Sequence, residues 1–335
     1  MNFAVIGCGL IGQKRLRAIQ SFGSQHRVVF TADSALDRAQ ELARLQPGAC
    51  ATTDWQAVLA EKNVDTVIVA TTNNWLAPIT LAAVSAGKNV LVEKPAGRSP
   101  QEIDPLVEAA AKRNVYVHAG FNHRYHPAFI KAVELFKSGA LGPMMFIRAR
   151  YGHGGRLGYE KEWRADSNIA GGGELLDQGV HLIDLARQFL GDFTTVKGVT
   201  TTSYWDMNVE DNGFMMLQTD VGQVAWLHAS ATEWKNLFSF EIYGQHAKLH
   251  IEGLGGSYGV ERLYYYKMLP KMGPPETTIW EYPGEDTSWR DELDAFVRSI
   301  QEKRAPDTTL RDARAALTIV SKIYAQNKMP GAINS

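Results

Sequence analysis

The chain has 335 residues, of which 45% are hydrophobic and 21% charged, and its formal net charge is −1. That balance excludes a disordered chain, suits two globular domains, and gives no electrostatic footprint for nucleic acid or an anionic membrane. With two cysteines, Cys8 and Cys50, and no apolar run near the roughly 20 residues that span a bilayer, neither a disulfide framework nor a membrane protein is expected.

The chain opens directly on an apolar strand pattern with no basic segment before it, so no signal peptide is expected and the cytoplasm is the expected compartment. Strands are predicted over Phe3–Ile6, Val28–Ala32, Thr66–Ala70, Asn89–Val92 and Val115–Ala119. Between them, helical periodicity covers Ile11–Ser21, Leu36–Leu45, Ala77–Ala86 and Pro100–Arg113. Gly87 stands where a left-handed helix cap is wanted. Short apolar strands alternating with helices imply βαβ units and a parallel sheet covered on both faces, a Rossmann-type doubly wound fold.

Near residue 120 the pattern changes. A connector, Gly120–Pro127, leads into a helix over Ala128–Lys137 and a turn over Gly139–Pro143. Alternating strands follow at Met145–Tyr151, Val196–Ser203, Gly213–Gln218, Gln223–Ala229, Phe238–Tyr243 and Lys248–Glu252, interrupted by a helix from Glu174 to Leu190. This predicts a mixed or antiparallel sheet with helix on one face. Helices over Ser288–Lys303 and Leu310–Asn327 close the chain, the latter with capping side chains in Asp307–Thr309. The expected domains are 1–121 and 122–335, with the last helices free to pack back on the first.

Gly7-Cys8-Gly9-Leu10-Ile11-Gly12 fits G-x-G-x-x-G between a strand and a helix. Gly7 permits the tight turn, Gly9 lets a pyrophosphate approach the backbone, and Gly12 brings helix and strand together. The helix N-terminus then offers free N–H groups and a positive dipole end. Gly7, Gly9, Leu10, Ile11 and Gly12 are therefore predicted to bind a dinucleotide; the alternative is a tight turn without ligand. Asp33 ends the second strand, where a carboxylate can hold ribose hydroxyls and repel a 2′-phosphate, favouring NAD over NADP. It could equally be a helix cap, and Arg38 could receive a phosphate.

Gly87-Lys88-Asn89-Val90-Leu91-Val92-Glu93-Lys94-Pro95 resembles the A-G-K-x-V-x-x-E-K-P signature of the Gfo/Idh/MocA oxidoreductases. Gly171-Gly172-Gly173-Glu174-Leu175-Leu176-Asp177-Gln178-Gly179-Val180-His181 resembles the family's G-G-G-x-L-x-D-x-G-x-H. The turn Ala70–Asn73 and the segment Gly120–Pro127 fit as well. Two positions depart: Leu76 stands where a histidine is common, and Thr71-Thr72-Asn73 replaces Thr-Pro-Asn. The resemblance implies a Rossmann domain followed by an α/β domain with a large open mixed sheet, usually used for oligomerisation, so a homodimer or homotetramer through that sheet is expected. It also implies a nicotinamide cofactor, contacted by Thr71, Asn73, Glu93 and Lys94 besides the glycine loop, and a sugar, nucleotide sugar or cyclitol as substrate.

Oxidising a secondary alcohol requires a group to take the hydroxyl proton as the hydride leaves. Asp177 and His181 are four apart and so share one helix face. By the resemblance, Lys94, Asp177 and His181 line the site beside the nicotinamide. His181 is assigned as proton acceptor, Lys94 as orienting cation and Asp177 as orienting carboxylate, with Lys94 and His181 exchangeable if burial lowers the lysine pKa. Asp184 is expected to be structural. Asn122, Arg124, Arg156, Trp163 and Arg164 are candidates for substrate binding together with Asp177 and His181, since arginine grips anionic groups and tryptophan stacks on sugar faces. A surface loop tied by salt bridges is the plainer alternative for residues 151–164. No histidine pair has zinc spacing, so no metal is expected. Two other functions fit the motifs: an NAD-dependent glycosidase using internal redox, and a non-catalytic NAD-binding regulator.

Overall fold

The computed structural model describes residues 1–271 and 273–327. Two compact units account for them: Met1–Phe121 with Trp289–Arg314, and Asn122–Ser288 with 315–327.

In the first unit β1 (Asn2–Ile6), α1 (Leu10–Gln20), β2 (Arg27–Ala32), α2 (Leu36–Arg44), β3 (Cys50–Thr52), α3 (Trp55–Ala60), β4 (Thr66–Val69), α4 (Asn73–Ser85), β5 (Asn89–Glu93), α5 (Pro100–Arg113) and β6 (Val117–Gly120) alternate. The strands form one parallel sheet in the order β3-β2-β1-β4-β5-β6. This is the Rossmann arrangement, with the order reversing beside β1. Ile6 pairs with both Ala32 and Val69. That register lines up the carboxyl ends of the three central strands, so Gly7, Asp33 and Ala70 leave the sheet at one edge. Gly87 adopts φ 76° and its N–H bonds to Val84, the expected cap of α4. β3 and α3 are too short for periodicity to reveal. α4 starts at Asn73, four residues before the predicted Ala77, because its first two residues, Asn73 and Asn74, are polar and read as part of the preceding turn.

The second unit contains α6 (Pro127–Lys137), β7 (Met144–Gly152), α7 (Ser167–Ala170), a π-helical turn (Leu175–Gly179) that runs into α8 (Val180–Leu190), and β8 (Thr195–Thr201), β9 (Asn212–Gln218), β10 (Val224–Ser230), β11 (Leu237–Gly244), β12 (Ala247–Glu252), β13 (Glu261–Lys267) and β14 (Glu276–Tyr282). The strands form a mixed sheet in the order β14-β13-β12-β11-β7-β10-β9-β8, with only β7 and β10 parallel. Alternation along β10 buries Ala225, Leu227 and Ala229 and leaves Trp226 exposed. One face thus carries the core and the other is open. β13 and β14, rich in tyrosine, threonine and charge, show too little apolar alternation to be read in advance. The predicted helix over Glu174–Leu190 is interrupted in kind: its first turn is π, not α.

The chain closes with α9 (Ser288–Gln301) and α10 (Leu310–Asn327). Leu293, Phe296 and Val297 of α9 share one apolar cluster with Phe3, Val5, Leu16, Ile19 and Leu42. A segment nearly 170 residues downstream therefore completes the first unit's core. A buried polar knot fixes its placement. Arg15 of α1, fully buried, donates to Glu93 at 2.6 Å and to Glu292 of α9 at 2.5 Å. His118 on β6 lies 3.3 Å from the other Glu292 oxygen, and Thr308 bonds both His118 and the Ala119 carbonyl. Trp289 lies 4.6 Å over the guanidinium. Of the expected cap residues, Thr309 caps α10 through Asp312, whereas Thr308 is spent on His118 and Ala119.

Removing one member of such a buried set strands the others without a partner. Glu292→Ala should destabilise the protein by about 3–5 kcal/mol in urea unfolding. A loss below about 1 kcal/mol would mean that apolar contacts alone hold α9.

Candidate active site

In the first unit the candidate residues are built on the carboxyl edge of the parallel sheet. Gly7 has φ 97°, and a Cβ there would lie 2.3 Å from the Ala70 carbonyl oxygen. A Cβ on Gly12 would lie 2.1 Å from the Gly7 oxygen. Both are glycine because backbone occupies the space. Gly9 differs: a Cβ there would meet nothing within 4 Å. It also precedes α1, whose N-terminus has no side-chain cap and no acidic residue in its first turn. An open approach to uncapped N–H donors fits a pyrophosphate. Leu10 is exposed and Ile11 half-buried beside it.

Asp33 is half-buried and accepts from the Cys8 N–H at 2.8 Å and the Ala35 N–H at 3.0 Å. It braces the loop, and each carboxylate oxygen keeps a lone pair for a ribose hydroxyl. Burial pushes the Cys8 thiol up to about 12, and Asp33 adds to the shift, so this cysteine is inert. Arg38 is exposed on α2. Thr71 follows Ala70 directly against Gly7, and Asn73 is buried at the start of α4. Leu76, at the departure from the family pattern, is wholly buried core.

Lys94 leaves the end of β5 half-buried, and the Lys94–Pro95 peptide is cis. Ala96 follows at φ 69°, closing the turn onto the Glu93 carbonyl at 2.9 Å. Glu93 points inward: its carboxylate is bound by Arg15, with burial and the neighbouring Glu292 pushing it up while Arg15 opposes. The signature's glutamate is thus tied to the core knot, and its lysine stands on the next residue.

In the second unit the candidate residues are carried by the π-turn and α8. Glycines let this segment lie against its surroundings. A Cβ on Gly172 would sit 2.0 Å from the Tyr324 hydroxyl, and one on Gly173 would sit 1.9 Å from the Glu210 carbonyl oxygen. Asp177, half-buried in the π-turn, accepts from Arg164 Nε at 3.1 Å. His181 is buried on the first turn of α8, stacked on His123 with centroids 3.7 Å apart and edge-on to Tyr151. π-turns recur at functional sites because they re-aim side chains within a helix.

The substrate candidates separate by partner. Arg156 pairs with Glu162 at 2.6 Å, Glu162 faces Arg164 at 3.8 Å, and Arg164 stacks over Trp163 while holding Asp177. The loop is thus a ladder of alternating charge that ends on a predicted catalytic carboxylate. Arg124 makes a two-pronged bond to Asp184, with distances of 2.7 and 2.5 Å, and Asn122 donates to Ser288 at 2.9 Å. Asp184 has the structural part expected of it.

Three groups escaped the sequence reading. Glu174 is buried between the Tyr159 hydroxyl, which donates at 2.6 Å, and His153 at 3.2 Å. Burial opposes protonation of His153, but Glu174 and Asp177 outweigh it and the ring's pKa is raised. Glu210 is buried and accepts from Tyr324 at 2.7 Å and from the Leu175 N–H at 3.0 Å; burial raises its pKa to about 7. His123 stands beside His181. Glu174 lay within a quoted signature; Glu210 lies in a connection with no local signal.

An open groove of about 730 Å³ lies elsewhere, on the outer sheet face along Arg148, Phe214, Trp226, His228, Glu241 and His250. None of the predicted site residues lines it. Among the described residues no cluster of three or more His, Cys, Asp or Glu could hold a metal ion, and no helix is long and apolar enough to cross a membrane.

Comparison with known proteins places these features. The oxidoreductase family model for the NAD-binding Rossmann fold of GFO/IDH/MocA matches residues 1–121, and the GFO/IDH/MocA C-terminal domain model matches 129–250. Levoglucosan dehydrogenase of Pseudarthrobacter phenanthrenivorans is 29% identical over 230 residues, 65% of this chain and 58% of that protein. D-glucoside 3-dehydrogenase of Escherichia coli is 26% identical over 322 residues, 90% of this chain and 88% of that one. A solved levoglucosan dehydrogenase in complex with NADH and L-sorbose superposes with a TM-score of 0.86 over 100% of both chains at 22% identity, a likeness of fold.

Glu210 supplies a pH test. Its pKa is 4.5 unfolded and about 7 folded, so between those values the folded chain holds a proton that the unfolded chain has released. Stability from this group therefore falls as pH rises through that window. Glu210→Gln should raise the melting temperature relative to wild type more at pH 8 than at pH 5. An equal difference at both values would show that the carboxyl does not titrate there.

Proposed function

The chain belongs to the Gfo/Idh/MocA oxidoreductase family, and on that premise we propose that it transfers a hydride between NAD and a hydroxyl-bearing ring carbon of a sugar, nucleotide sugar or cyclitol. The observation that carries this reading is the position of Lys94. It follows β5 at the same carboxyl edge of the sheet as the open Gly9 cradle and Asp33. In a doubly wound sheet that edge is where cofactor and substrate lie.

Gly7, Gly9, Leu10, Ile11 and Gly12 would hold the pyrophosphate, Asp33 the ribose, and Thr71, Asn73 and Lys94 the nicotinamide side. Glu93 would serve this site through Arg15 and the strand end rather than by contact. NAD, when bound, supplies the hydride acceptor. The chain's own part is proton handling: His181 takes the hydroxyl proton, Lys94 orients the oxygen with its charge, and Asp177 fixes the hydroxyl's direction. Lys94 and His181 could exchange roles. Arg164 keeps Asp177 aimed, and Trp163 offers a stacking face for a sugar ring. Arg156, Arg124 and Asn122 would shape the surroundings through Glu162, Asp184 and Ser288. Relatives named as dehydrogenases favour net oxidation over the glycosidase and regulator readings. A reducing compartment such as the cytoplasm suits the two free cysteines.

The test is NAD(H) turnover over a panel of inositols, aldoses, uronic acids and nucleotide sugars, with NADP(H) in parallel. Wild type should turn over one ring-polyol class, with NAD preferred. Lys94→Ala should cut that turnover by about a hundredfold or more while leaving NADH affinity nearly intact. Loss of cofactor binding alone would remove Lys94 from the chemistry.

The open sheet face is proposed to pair with a second copy of the chain as a homodimer or homotetramer. Exposed Phe146, Phe214, Trp226 and Ile279 lie there beside the Arg148–Glu241–Lys248 set, in which burial opposes ionisation but the two cations hold Glu241 down at about 2. Such an apolar patch with matched charge suits self-association. Sedimentation at micromolar concentration should show an oligomer that Trp226→Glu dissociates; a wild-type monomer would overturn this.

A further inference from the structure

The segment carrying Asp177 and His181 begins with an unusual turn, and something must hold it. An α-helix satisfies the same backbone groups with better geometry, so an isolated π-turn tends to rewind. Rewinding slips the register by one residue, which on a helix rotates a side chain by about 100°. Asp177 would then turn relative to Arg164, which holds it, and relative to the elements that α8 packs against.

The contacts that oppose this slip converge on the segment's N-terminal end. Glu174 N–H donates to the Glu210 carbonyl at 3.0 Å, and Leu175 N–H donates to the Glu210 carboxylate at 3.0 Å. Two successive amides are therefore tied to one residue outside the helix. The same carboxylate oxygen accepts from Tyr324 of α10 at 2.7 Å. Gly172 and Gly173 have no side chains where Tyr324 and Glu210 press closest. Both Glu210 and Tyr324 are buried, so water does not compete for these bonds.

We propose that Glu210 is a positioning residue. Held by Tyr324, it pins the Glu174 and Leu175 amides and so sets the π register that aims Asp177 at Arg164 and fixes how it projects from the segment. It touches neither substrate nor cofactor. The inference rests on the catalytic reading of Asp177 and His181 above, but the brace itself is a structural claim that can be tested without substrate.

Glu210→Ala, Glu210→Gln and Tyr324→Phe separate the alternatives. The alanine variant should lower kcat ten- to a hundredfold, the scale of a misaimed catalytic group, with KM and NADH affinity within about twofold. Glutamine keeps an acceptor oxygen for Leu175 and Tyr324 and should restore most of the rate. Tyr324→Phe should fall between the two, and it serves if the alanine variant does not fold. Amide hydrogen exchange over 173–181 should quicken in Glu210→Ala and Tyr324→Phe but not in Glu210→Gln. Unchanged exchange in that segment, or a glutamine variant as slow as the alanine one, overturns the proposal. If wild type oxidises no polyol, the catalytic reading fails on that result alone, while the exchange arm still decides the brace.

Discussion

A single buried guanidinium organises the first unit. Arg15 has no access to solvent, yet it stays charged because Glu93 and Glu292 flank it, their attraction outweighing burial. Its position forces three things together: the helix that opens at the glycine cradle, the end of the strand that presents Lys94, and α9 from far along the chain. A buried ion pair adds little stability over an apolar core of equal volume, but a wrongly placed partner is costly. The knot thus acts as a register pin. It lets α1 and β5 meet in only one relation, which sets Lys94 relative to the cradle.

The second unit meets a similar problem by another route. Asp177 is carried on a turn that is not in its most comfortable form, and His181 on the helix that follows it. Glycines at 171–173 let neighbouring backbone and a tyrosine hydroxyl come close, and two buried glutamates occupy the space so opened. Glu174 ties the turn to the loop after β7 through Tyr159 and His153. Glu210 ties it to α10. The charge ladder from Arg156 through Glu162 and Arg164 reaches Asp177 from the solvent side. Asp177 is therefore oriented from the surface, and the backbone beneath it from the interior.

The catalytic candidates could be read from the chain because their constraints are local. Gly7 and Gly12 are demanded by a turn and a close crossing within a few residues, and Lys94 and Pro95 by the end of one strand. The partners that hold them were not legible. Glu292 lies 277 positions from Arg15, and Glu210 35 positions from Leu175; neither sits in a motif or on a periodic face. Arg124 and Asn122 were candidates for substrate contact by residue type, and the structure adds the partners that orient them, Asp184 and Ser288.

By itself the sequence determined the alternation of strands and helices, the cradle, the two signatures and thus the family, because each depends on spacing within a dozen residues. Tertiary structure alone decided that α9 belongs with the first unit, that Glu93 faces Arg15, that the helix bearing Asp177 starts as a π-turn, and that Glu210 underlies it. These outcomes depend on burial and on which charge meets which across long loops. Such pairings are set when the core closes, and no short window of sequence contains both partners.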